Sequence, residues 1–313
     1  MTSAVAPIFV FGALRSGTTM FRLMLDAHAQ IANPGEFDFI ARFLQRGADG
    51  AWTYDREALA LDRVFVHRGF EAPSHLDGAA LLDCFIDQIR AMSAPGVFTI
   101  NLHDGFDKLA ALHPDLRVIH VLRDPRDVAS SSLAMGWSGT LWHAVGHWIE
   151  TETQWGRAEA LIAPENRLEL RYEDLLRDLE GQLGRVCDFM GVELSEAMLN
   201  YDRTSSYGRP NPKLIEQWRR KLSPRDLGLI EGRIGPLLAA RGYAPSGAPR
   251  IAPEGMARRR LALENAVGRL RFDIDRFGLG LAAADRATRA LGLKGPFKAV
   301  RARMNAISQD HVK

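Results

Sequence analysis

The chain has 313 residues, of which 46% are hydrophobic and 25% charged, with a net charge of +2 and two cysteines. This is the composition of a globular protein with a large core, about two domains by length, and it excludes a disulfide framework. No run of 18 apolar residues occurs, so no membrane span is expected, and the expected partner is not a nucleic acid. The N-terminal apolar run lacks a basic flank and leads straight into a glycine loop. It reads as a first strand and not a signal peptide, and a cytoplasmic setting is expected.

Pro7-Ile8-Phe9-Val10-Phe11 is an apolar run of strand length, followed by Gly12, Gly17 and an apolar-periodic segment ending at Leu25. The pattern predicts strand, tight loop and helix. Such a loop aims backbone N–H groups at one spot on a helix N-terminus, where an anion such as phosphate binds. Gly12 to Thr19 has the frame of the triphosphate loop G-x-x-x-x-G-K-[ST], but Thr18 stands in place of the lysine and the cation is Arg15. A loop without that lysine suits a donor with no β,γ-phosphates to neutralise.

Pro34-Gly35 is a turn, and Glu36 is expected to open a helix, where a carboxylate complements the dipole. Residues 55–93 read as helices broken near 69–74. The strand Val97-Phe98-Thr99-Ile100 runs into Asn101-Leu102-His103, at the strand end where ligands gather in open α/β sheets. A second strand, 116–122, ends at Arg123, and Pro125 starts a helix with Ser131 about two turns inside it. A guanidinium and a hydroxyl so placed can hold one phosphate together. Trp142, Trp148 and Trp155 mark a long helix and read as core. Tyr172 ends a strand at 167–172, as a core ring or one that packs on a base. Residues 201–212 form an irregular loop rich in hydroxyls and cations.

Ser223-Pro224-Arg225-Asp226 is a cap sequence for helices reaching Tyr243, after which 244–253 is a Pro/Gly/Ser linker. Residues 256–313 hold 13 Lys/Arg against 5 Asp/Glu, while the rest hold 27 against 33. The expected organisation is a body at 1–243, the linker, and a basic tail of two or three amphipathic helices at 254–313. For the tail, packing on the body or pairing two copies as a homodimer is favoured over contact with an anionic membrane surface.

With these motifs in place, the chain resembles the sulfotransferase family over residues 7–243. Members use 3′-phosphoadenosine 5′-phosphosulfate (PAPS) and release PAP. Arg15-Ser16-Gly17-Thr18-Thr19 is similar to the family's 5′-phosphosulfate loop, and Arg123 with Ser131 to its 3′-phosphate pair. The resemblance implies an α/β, P-loop-type three-layer fold, a central parallel sheet flanked by helices, here followed by a helical C-terminal extension. It also implies in-line, metal-independent sulfuryl transfer to the hydroxyl of a small metabolite, carbohydrate or tyrosine.

The stretch from Arg15 to Glu36 looks most like the tyrosylprotein sulfotransferase branch, whose catalytic glutamate stands 21 residues after the loop arginine, as Glu36 does here. The cytosolic branch uses a histidine placed much as His103 is, so Glu36 and His103 are both candidate bases. Both branches carry a strand-end lysine where this chain has Asn101, which leaves Arg15 or Lys108 to supply charge at the departing oxygen. Ser205, Ser206, Arg209 and Lys213 fall where the family closes a loop over the nucleotide, and Tyr172 lies on the same side. Two other classes stand beside this reading. One is a P-loop kinase or NTPase, against which the absent lysine argues. The other is a non-catalytic nucleotide-binding scaffold.

Overall fold

The computed structural model describes residues 6–94, 96–203, 205 and 208–310; Ser206 of the expected closing loop lies outside them. Its strands are β1 (Ile8–Phe11), β2 (Ile31–Ala32), β3 (Leu44–Arg46), β4 (Trp52–Tyr54), β5 (Val97–Leu102), β6 (Arg117–Leu122) and β7 (Arg167–Arg171). Five of these form one sheet in the order β2-β5-β1-β6-β7, with every pairing parallel. β3 and β4 make a separate antiparallel hairpin, which the sequence reading did not contain.

The parallel sheet is covered on both faces, which is why its strands are near-continuous apolar runs. Phe9, Phe11, Ile100, Leu102 and Val118 pack with the helices Gly78–Ala91 and Phe106–Leu112 and with Trp155. Ile8, Val10, Ile119, Val121 and Leu170 pack with the helices Thr18–Asp26, Tyr172–Arg177 and Leu179–Met190. This is the expected α/β three-layer arrangement. β1 lies between β5 and β6, with Phe11 opposite Leu102 on one side and His120 on the other. The chain therefore leaves three adjacent strands at one edge, at Gly12, His103 and Arg123.

Glu36 does not open a helix. It forms a parallel bridge with Asn101, whose N–H donates to Gly35 O at 3.2 Å while Phe37 N–H donates to Asn101 O at 3.1 Å. β5 has unpaired backbone groups beyond its short partner β2, and extended chain satisfies them before the helix Phe39–Arg42 begins. The tryptophan helix is likewise two pieces, Leu141–Ala144 and Gly146–Glu159.

The chain divides into two compact units. The first runs to Asp124 and takes up His147–Glu216, and it holds the sheet; the second comprises Pro125–Gly146 and the described chain from Gln217 onward. In the second, the buried Arg126 guanidinium lies 3.0 Å from Glu231 Oε1 and 3.7 Å from the Trp218 ring centroid. Asp127 Oδ1 accepts from Trp218 N–H at 2.8 Å. The helix Gly255–Ala290, broken by non-helical Gly278, and the helix Lys294–Asp310 also belong to this unit. They approach the 136–139 turn, where a Cβ on Gly136 would meet the Phe272 ring at 2.0 Å and one on Gly139 would meet Asn265 O at 2.2 Å.

Candidate active site

The loop after β1 is built from two left-handed residues, Arg15 at φ 72° and Gly17 at φ 89°. Alternation of this kind turns successive N–H groups toward one point, as an anion-binding nest does. No side chain caps the helix Thr18–Asp26, so its first-turn N–H groups are left to that same point. Two glycines are obligatory for steric reasons. A Cβ on Gly12 would meet Val121 O at 2.3 Å, and one on Gly17 would meet the Tyr172 ring at 2.3 Å. Ser16 is fully buried with its Oγ unpartnered; Thr18 is buried, and Arg15 and Thr19 half-buried.

Arg123 leaves β6 nearly buried, and its Nη1 donates to Arg15 O at 3.0 Å. Its guanidinium lies 4.2 Å from the centroid of the Tyr172 ring. Its Nε is buried without a partner. Tyr172 thus packs on Gly17 with one part of its ring and carries Arg123 on another. The next residue, Glu173, accepts from Asp124 N–H at 2.9 Å and fixes the turn that follows Arg123. Burial pushes the Glu173 carboxyl up, and hydrogen bonds from backbone N–H groups oppose that rise.

His103 joins the loop to Glu36. Its Nδ1–H donates to Gly12 O at 2.7 Å, and its Nε2 lies 3.6 Å from Glu36 Oε1. The imidazole is almost wholly buried, whereas the Glu36 side chain is 44% exposed. Asp38 accepts from His103 N–H at 2.6 Å and adds a second nearby carboxylate. Burial disfavours the imidazolium, but Glu36 and Asp38 outweigh it and hold the His103 pKa above the ordinary histidine value. The nearby His103 in turn holds the Glu36 carboxyl below its ordinary range. The two candidate bases therefore sit side by side, 3.6 Å apart, and each shifts the other toward its charged form.

The helix Gly146–Glu159 supports these strand ends, and the sequence reading missed it as a site element. His147 Nε2 donates to Leu14 O at 3.0 Å, Trp148 Nε1 to Arg123 O at 3.0 Å, and Thr151 Oγ1 to His103 O at 3.3 Å. Gln154 accepts from Gly105 N–H at 2.7 Å and donates to Asp104 at 2.9 Å. Polar residues at 147, 151 and 154 share helical spacing with the tryptophans read as core, and that spacing was the available signal.

Ser131 is half-buried on the helix Pro125–Ala134 of the second unit. Arg209 pairs with Asp202 at 3.2 Å, and Ser205 lines a cavity with Arg203, Asn200 and Asp26. Lys213 sits on the short turn Pro212–Leu214. Asn101 is fully buried; its Oδ1 accepts from Asn33 at 2.8 Å, while its Nδ2 has no partner. Lys108 Nζ donates to Arg42 O at 2.9 Å.

A helix left uncapped for an anion, beside a carboxylate held ready at the same sheet edge, is the equipment of an α/β group-transfer enzyme with a phosphate-bearing donor. Residues 7–196 match the sulfotransferase family, and the chain belongs to it. Protein-tyrosine sulfotransferase 1 of Danio rerio is 26% identical over 271 residues, spanning 77% of this chain and 73% of the relative. Among solved structures, the sulfotransferase domain of the Synechococcus PCC 7002 olefin synthase is 21% identical, with a TM-score of 0.49 over 73% of this chain and 95% of that one. Mouse sulfotransferase SULT7A1, solved as a complex with PAP, is 15% identical with a TM-score of 0.43, over 71% of this chain and 79% of that one.

Proposed function

We propose that this sulfotransferase takes its sulfuryl group from PAPS and that Glu36 accepts the proton of the attacking acceptor hydroxyl. The observation that carries the second part is the buried imidazole of His103, tied at Nδ1 to Gly12 O and set 3.6 Å from the more exposed Glu36. Its Nδ1–H donates to that carbonyl, its Nε2 faces Glu36 Oε1, and the nearby carboxylates raise its pKa and so favour the imidazolium. In that form the ring has no lone pair left to take a proton. Glu36 is ionised and accessible, and general-base assistance of this kind is worth roughly 10²–10⁴-fold.

The loop fits the 5′-phosphosulfate end of such a donor. Its left-handed turn, the helix start without a side-chain cap and the buried, unpartnered Ser16 Oγ offer donors to an anion. Arg15, Thr18 and Thr19 complete the cradle, and Arg15 supplies the cation that Asn101 does not. Arg123, with its Nε unsatisfied, is assigned to the 3′-phosphate. When bound, the donor supplies an electrophilic sulfur and a phosphate leaving oxygen. The chain's part is to hold that oxygen with preorganised N–H groups and Arg15, and to orient the acceptor on Glu36. The acceptor is a hydroxyl of a metabolite, carbohydrate or tyrosine, and the similarity to protein-tyrosine sulfotransferases puts phenols first in a screen.

Calorimetric titration tests the reading. PAP binding that needs no magnesium, followed by transfer from PAPS to a hydroxyl compound seen by intact mass, is the expected result. Magnesium-dependent ATP binding with no affinity for PAP would overturn it.

A further inference from the structure

The C-terminal helices of the second unit enclose a cavity of about 720 Å³ that sulfuryl transfer leaves without a role. Its size is that of a small-molecule site. Arg269, Arg276, Arg286, Arg289 and Arg301 line it, against only two carboxylates, Asp273 and Asp285. Those two are engaged. Asp273 pairs with Arg286 at 2.8 Å, and Asp285 with Arg289 at 2.8 Å and Arg301 at 2.7 Å. Arg269 and the half-buried Arg276 have no carboxylate partner among the described residues. The wall exists because Gly278, at φ 80° and ψ 156°, breaks the helix so that Arg286 reaches back to Asp273.

Arg269 and Arg276 stand seven residues apart on one helix, about 10 Å of rise. Phe272 lies between them on the same face, with the Arg276 guanidinium 5.9 Å from its ring centroid. The ring is held in place by its contact with Gly136. An aromatic surface is thus flanked by two guanidiniums that lack counter-charges. We propose that this cavity binds a small dianion: two oxyanion groups, phosphate, sulfate or carboxylate, at opposite ends of a planar apolar body. Each guanidinium fork matches one oxyanion, and the body stacks on Phe272. A lone inorganic anion reaches one arginine only. The inference stands apart from the transfer reaction and does not rest on it.

The test is calorimetric titration of the full chain with a naphthalene disulfonate bearing its groups on opposite rings. Naphthalene monosulfonate, inorganic sulfate and phosphatidylserine vesicles serve as comparators. The disulfonate is expected to bind about tenfold more tightly than the monosulfonate, and R269A or R276A to remove that advantage. R269K/R276K is expected to keep part of it. These variants leave all three carboxylate pairs intact, and an unchanged Tm verifies their folding. PAP affinity, measured alongside, is expected to stay the same in all of them. Equal disulfonate affinity in R269A/R276A, no saturable binding by the parent chain, or binding to vesicles alone would each overturn the site. Failure of the parent chain to bind PAP would instead count against the transfer reading.

Discussion

Glu36 Oε1 stands 3.6 Å from Nε2 of His103, whose other ring nitrogen is tied to the Gly12 carbonyl. The carboxylate, the imidazole and the glycine loop are thereby linked in one chain of contacts. Removing the carboxylate and removing the imidazole should have different consequences. Glu36→Gln deletes the proton acceptor and is expected to lower kcat by roughly 10²–10⁴-fold at every pH. His103→Gln leaves the acceptor but removes the charge that holds it low. The acid limb of kcat/KM is then expected to move to higher pH, toward the ordinary carboxylate range, because the nearby His103 is the largest cause of the Glu36 shift. A pH–rate profile for each variant checks this, and an unmoved acid limb in His103→Gln contradicts the assignment.

Gly17→Ala is expected to damage the loop twice over. The residue sits at φ 89°, where a side chain is strained, and its Cβ would press on the Tyr172 ring at 2.3 Å. Strain of the first kind alone costs about 1–3 kcal/mol. The displaced Tyr172 ring would also shift Arg123, which lies 4.2 Å from it. A lower Tm together with lost PAP affinity is the expected pair of results. Gly12→Ala provides the comparison, since there the obstacle is Val121 O and steric only.

Most of the sheet could be read from the chain because both-face burial writes itself as apolar runs, and Ile8–Phe11 and Val118–Leu122 are buried throughout. The tight loop after β1 was legible for a different reason: backbone geometry demanded glycine at fixed places, and glycine is visible in a sequence. Glu36 was found by its spacing from Arg15, yet its backbone was misplaced on a helix. The β5 edge that captures it lies 65 positions away at Asn101, and no local pattern reports such a pairing. The coupling of Glu36 to His103 was hidden for the same reason. His147, Trp148 and Thr151 were hidden because their bonds go to backbone carbonyls, which leave no mark on the sequence of the acceptor.

Arg123→Ala should separate donor binding from folding. The guanidinium is held by Arg15 O and the Tyr172 ring, with Nε still to be satisfied. Loss of charge-assisted hydrogen bonds of about 1.5–3 kcal/mol weakens PAP by roughly 10–150-fold. Arg123→Lys is expected to recover little, because an ammonium cannot bond the carbonyl, stack on the ring and present a fork at once. Titration with PAP and with adenosine 5′-phosphate localises the effect. The variant's deficit should vanish when the ligand lacks the 3′-phosphate, and a deficit of equal size for both would place Arg123 elsewhere in the site.

His120 on β6 stacks on Trp155 with centroids 4.2 Å apart, and its Nε2 lies 3.1 Å from Glu152 Oε1, both side chains fully buried. Burial alone would lower the His120 pKa, but Glu152, with Glu169 at 3.8 Å from Nδ1, reverses the sign and raises it. A raised folded value means the proton contributes stability in full below the ordinary histidine pKa of about 6.5. That contribution fades as pH climbs through the raised value. Unfolding by urea should therefore give a free energy that declines on the alkaline side. Glu152→Gln leaves a buried imidazolium without its main counter-charge, so stability at mildly acid pH should fall by about 3–5 kcal/mol and the alkaline decline should flatten. Glu152 sits on the helix that brings His147, Trp148 and Thr151 to the strand ends, so the same variant should also lose turnover as that helix loosens. An unfolding free energy that is flat with pH in the parent chain would show that His120 is neutral and that the helix is held by packing alone.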